Sequence, residues 1–88
     1  MDLSIAGSLI LFYLFNIAQK ENLDQINIQT YPINDIIYKL NDFSEELPSE
    51  NILIQAYNIL ITKINRPITC TEIMRRVKDP SIVFLPYL

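Results

Sequence analysis

Histidine is absent from this sequence, cysteine and glycine occur once each, and the chain is 88 residues long. Each shortage removes a class of chemistry. Without imidazole the usual ligand sets of structural zinc, the Ser-His-Asp type of nucleophile and the commonest general acid–base side chain all disappear. The lone Cys70 permits no internal disulfide. Short secreted domains ordinarily need several, so the expected compartment is reducing: intracellular, and cytoplasmic, or nuclear in a eukaryote. The lone Gly7 excludes a glycine-rich phosphate loop. No catalytic residue, metal ligand or cofactor site is expected, and the chain is read as non-enzymatic.

What the sequence does have is apolar weight. Half of its residues are hydrophobic, with isoleucine dominant, which is a folding composition rather than that of a disordered tail. A chain this short buries only a little over about 60% of its unfolded surface, so so much apolar character favours self-association, a protein partner or membrane contact. One domain, 1–88, is expected, with no repeat or linker; it would also suit the first domain of a longer chain. The net charge of −3 is unevenly spread. Through Thr62 eight acids face only Lys20 and Lys39, whereas from Lys63 onward Lys63, Arg66, Arg75, Arg76 and Lys78 outnumber Glu72 and Asp79.

The spacing predicts about four helices. The first runs from about Leu3 to Glu21, capped by Asp2 or Ser4, and its run Leu9–Phe15 is apolar on every side, as in a helix buried in a core, an interface or a bilayer. The uncharged stretch 3–19 spans roughly 25 Å, short of the roughly 30 Å of a bilayer core, which disfavours a full membrane crossing. Asp2 stands where a signal peptide would be basic, and no small-x-small cleavage site follows. Alternation at Ile26 and Ile28 predicts a short edge strand. Ile33, Ile36, Ile37 and Leu40 predict a second helix over about 32–42.

After a polar loop over 44–49, Ser49 caps a third helix to about Ile64. Its stripe of Ile52, Leu53, Ala56, Tyr57, Leu60 and Ile64 makes it the expected central helix. Thr69-Cys70-Thr71-Glu72 spells a capping box, with Ile68 and Ile73 as its hydrophobic staple, and opens a fourth helix over 70–78. There Cys70, Ile73, Met74 and Val77 face inward, and Thr71, Glu72, Arg75, Arg76 and Lys78 face outward. Asp79-Pro80 ends it, and the apolar tail 82–88 either packs back as a turn or strand or docks elsewhere.

Three groups of residues invite chemistry, and each has a plainer reading. Cys70 in a helical first turn has the position of an activated thiol, but buried thiols mostly pack, and no imidazole is present to serve as a base. Asp42, Glu45, Glu46 and Glu50 gather around one loop without the alternating ligands and central glycine of a calcium site. Lys63, Arg66, Arg75 and Lys78 surround a helix-turn-helix-like segment and are the candidate nucleic-acid contacts; the plainer reading is that these cations balance a helix C-terminus while Glu72 pairs with Arg76. Phe12, Tyr13 and Phe15 read as core or interface anchors.

The expectation is therefore an all-α compact bundle of about four helices with one short edge strand. Its expected function is a protein–protein interaction module, adaptor or small subunit that presents an apolar helical surface to a partner or to a second copy. The expected interface residues are Leu9, Phe12, Tyr13, Leu14, Phe15, Phe84 and Tyr87. A helix-turn-helix-like nucleic-acid-binding factor is the second reading, and a membrane-attached subunit anchored through residues 3–19 is the third.

Overall fold

A computed structural model describes residues 2–43 and 46–86 of the chain. Among these residues lie four α-helices: α1 (Leu3–Lys20), α2 (Ile33–Leu40), α3 (Glu50–Lys63) and α4 (Cys70–Lys78). A two-stranded antiparallel sheet joins β1 (Gln25–Ile26) to β2 (Ile68–Thr69), and short 3-10 turns occupy Ile28–Thr30 and Pro80–Ile82. The protein is a mostly α-helical bundle.

The helix starts follow from side chains that satisfy otherwise free N–H groups. The Asp2 carboxylate accepts the Ile5 amide at 2.9 Å, Ser49 Oγ accepts that of Ile52 at 3.3 Å, and Thr69 Oγ1 accepts that of Glu72 at 3.1 Å. The end of α1 has no glycine, and Asn22 supplies the left-handed residue instead, at φ 56°. The Leu23 amide then reaches back to the Ala18 carbonyl at 2.8 Å and that of Asn22 to Gln19 at 3.3 Å, closing a Schellman motif.

The central helix is α1, not α3 as its stripe suggested. It packs against α2, α3, α4 and the Pro80–Ile82 turn, and buries Ala6, Gly7, Ile10, Leu11, Leu14 and Ala18. Its small residues suit this place: Ala6 and Ala18 are fully buried, and Gly7 leaves room for the Val83 and Phe84 side chains. By contrast α3 buries one face, Leu53, Ala56, Tyr57 and Leu60, with the Tyr57 hydroxyl donating to the Tyr31 carbonyl at 2.9 Å.

The expected short strand forms at Ile26, but it is brief. The strand begins at Gln25, one residue before the alternating isoleucines, and the chain turns into a 3-10 turn at Ile28. Its partner Ile68–Thr69 lies in what reads as the turn between α3 and α4, pairing Ile26 with Ile68 and Gln25 with Thr69. Both isoleucines are buried. The second helix covers its stripe, Ile33 to Leu40, with Pro32 as N-cap, and ends two residues short of the expected 42. Of the acidic loop, Ser44 and Glu45 lie outside the described residues.

Half of the predicted capping box forms. The Glu72 carboxylate does not return to Thr69 but turns to Arg75 and Arg76, so the cap rests on the Thr69 hydroxyl alone. Thr69→Ala is expected to cost about 1 kcal/mol and Thr69→Ser much less. Urea melts of the three proteins check this, and equal midpoints would show that the cap is idle.

Candidate interaction surface

Along the outer side of α1, Ile5, Leu9 and Phe12 recur at i, i+4 and i+7, so they form one apolar line. Phe12 is 46% exposed and stands as a ridge between two hollows. On one side a hollow of about 390 Å³ runs between Ile5, Ser8, Leu9 and Phe12 of α1 and Val77 and Pro80 beyond it. On the other a hollow of about 250 Å³ is bounded by Leu9, Phe12, Tyr13, Asn16, Leu40, Phe43 and Leu47.

Tertiary packing builds both walls. Ser8 Oγ donates to the Val77 carbonyl at 3.3 Å, which ties α4 beside α1. The ring of Phe43, largely exposed after α2, meets Tyr13 edge-on with centroids 6.1 Å apart. Burial raises the Tyr13 phenol above its ordinary pKa, helped by the charges of Asp35 and Tyr31.

The expected interface residues divide among four places. Leu9, Phe12 and Tyr13 share the ridge and its hollows. Leu14 is wholly buried and belongs to the core. Phe15 lies elsewhere, in an open groove of about 640 Å³ with Gln19, Cys70, Thr71, Met74, Arg75 and Lys78. Phe84 is half-buried against Gly7, and Tyr87 lies outside the described residues. Sequence reasoning missed Ile5, Phe43, Val77 and Pro80; only Ile5 had a local signal, its spacing from Leu9 and Phe12.

The third and fourth helices do not pack together as a helix-turn-helix pair. Both α3 and α4 pack chiefly on α1 rather than on each other, and β2 interrupts the connection between them. Lys63, Arg66, Arg75 and Lys78 are all exposed. Arg75 is tied to Glu72 by two hydrogen bonds, Nε to Oε1 at 3.0 Å and Nη2 to Oε2 at 2.7 Å. Cys70 Sγ donates to the Leu23 carbonyl at 3.2 Å. Among the described residues no group of three or more Cys, Asp or Glu side chains is placed to hold a metal ion.

Arg76 corrects the outward face expected for α4. It is 1% exposed, sits beside Ile73 on the inner side, and bonds to Glu72 at 2.8 Å and to carbonyls of the tail. A charge can be buried there because a carboxylate and several carbonyls replace its water.

The α1 helix, 18 residues with a mean hydropathy of 1.3, is long and apolar enough to cross a membrane by length and composition, and a third of it is buried as core of the bundle. The whole chain exposes 5422 Å², close to the roughly 5,400 Å² expected of a compact monomer of its mass. Fold and surface together define a small helical protein with a two-hollow apolar face on its central helix. No family model, curated protein or solved structure matches the chain.

Proposed function

We propose that this protein is a non-catalytic interaction module that offers the Phe12 face of α1 to another polypeptide, a partner or a second copy. One observation carries the reading: a large aromatic ring stands half-exposed between two apolar hollows, the arrangement of an anchor flanked by pockets that would receive a partner's anchors. Isolated exposed apolar residues are ordinary, but here Ile5, Leu9, Phe12, Tyr13 and Phe43 are contiguous through shared hollows.

The test is solution mass by light scattering across concentration, for the wild-type chain and Phe12→Asp. Because Phe12 lies at the surface, its replacement should leave helical circular dichroism intact. Association seen with the wild type should fall by about tenfold or more, since a charge placed at the centre of a dry contact costs at least about 1.4 kcal/mol. A wild-type chain that stays monomeric to about millimolar concentration, a range reaching −4.1 kcal/mol of association free energy, would remove the self-association form. Unaltered binding of a purified partner by Phe12→Asp would sink the reading altogether. Salt-sensitive binding of mixed-sequence DNA or RNA, lost on joint Arg75→Gln and Lys78→Gln, would favour a nucleic-acid-binding factor instead. Vesicle binding released only by detergent would favour a membrane subunit.

A further inference from the structure

The tail Pro80–Pro86 follows α4 and lies against α1 and α4, and the seat it occupies is equipped to hold a peptide. One wall supplies donors. Arg76 Nη1 donates to the carbonyls of Ile82 at 3.5 Å, Val83 at 3.1 Å and Leu85, and its Nη2 to that of Pro86 at 3.3 Å, while Nε stays on Glu72. The other wall supplies a hole. A Cβ on Gly7 would stand 2.8 Å from Val83 Cγ1 and 2.9 Å from the Phe84 ring, so only glycine lets these two side chains settle on α1. The seat thus reads main-chain carbonyls with a buried guanidinium and two apolar side chains by shape.

Nothing in that recognition requires tail and seat to belong to one chain. The tail is held by the guanidinium, Val83 and Phe84, whereas its 3-10 turn has no buried residue and Leu85 is about half exposed. Its joint to α4 is a single extended residue, Asp79 at φ −131° and ψ 91°, the region that a following proline imposes. Rotation there swings the tail away while α4 keeps its hydrogen bonds. We propose that this seat accepts Pro80–Pro86 of a second copy, so that two chains exchange tails and each Arg76 and Gly7 hold the other's strap.

Two full-length variants isolate the exchange. Gly7→Leu fills the seat and leaves the strap intact, whereas Val83→Ser spoils the strap and leaves the seat intact. Mixed at equal concentration, they should yield a heterodimer by native mass spectrometry at about tenfold or more over the dimer of either alone, because each lacks the intramolecular competitor. Absence of that heterodimer from variants that both keep a helical circular dichroism spectrum overturns the proposal. If either variant loses its helices, the wild-type chain with Asp79 deleted replaces them. Its shortened joint hinders closure onto its own seat, so its dimer fraction should rise by about tenfold, and an unchanged monomer overturns the exchange. Phe12→Asp in both chains separates this from association through the Phe12 face. The exchanged heterodimer should survive it, and loss of the heterodimer would assign the contact to Phe12 and overturn the exchange.

Discussion

Leu14→Asp is expected to leave no cooperatively folded protein at 25 °C, although Phe12→Asp two residues earlier on the same helix keeps the fold. Leu14 is fully enclosed within the core that α1 shares with the other helices, whereas Phe12 has nearly half its surface in water. Truncating a buried leucine alone costs about 2–5 kcal/mol. A carboxylate in the same place adds several more, because it would lose its water to an apolar core. The total approaches or exceeds the roughly 5–15 kcal/mol that stabilises a domain of this size. Thermal circular dichroism of the two variants checks the contrast. A sigmoidal melt for Leu14→Asp would mean that α1 is not the core helix.

That pair also marks how far the sequence could be read. A run such as Leu9–Phe15, apolar on all sides, announces that a helix will be covered but carries no phase, so nothing local distinguishes Leu14 from Phe12. The phase comes from Ala6, Gly7 and Ala18, where neighbours can approach, and their effect is visible only once the neighbours are in place. Helix starts were legible because Asp2, Ser49 and Thr69 act on amides three residues away. The pairing of Ile26 with Ile68 was not, since two-residue strands have no period and their partner is 42 residues distant. The ridge was half legible: Leu9, Phe12 and Tyr13 stand out in the chain, but Phe43, Val77 and Pro80 join them only through packing.

Arg76 was the residue most thoroughly concealed, because a cation in the last turn of a short helix ordinarily lies in water beside the helix C-terminus. Its burial depends on acceptors that the chain supplies six to ten residues later. Arg76→Met keeps much of the volume but takes the guanidinium from those carbonyls, of which only that of Ile82 keeps another donor, the Leu85 amide, and leaves Glu72 without its inner partner. Each buried acceptor so stranded costs about 1–3 kcal/mol, yet the tail can lift off and return them to water. The loss is therefore capped at the tail's docking energy, about 3 kcal/mol in all, or a fall in Tm of roughly 15 °C for a chain of this length. Arg76→Lys should recover only part of it, since one ammonium cannot serve Glu72 and several carbonyls together. Hydrogen exchange locates the effect: the Val83 and Leu85 amides, bonded to Pro80 and Ile82, should lose protection before those of α1 and α3. Acid should weaken the same joint. The hydrogen bond from Arg75 holds the Glu72 carboxyl below its ordinary pKa, against burial and with help from the hydrogen bond and charge of Arg76. A carboxyl whose folded pKa is depressed contributes stability above its unfolded value, near 4.3, and that contribution drains away as pH falls through the folded one. The wild-type chain should thus lose tail protection below about pH 4.3, and Arg76→Met, having one cation fewer on Glu72, should show a shallower acid loss. Wild-type protection at Val83 and Leu85 that persists unchanged in Arg76→Met would show that the tail is held by Val83 and Phe84 alone.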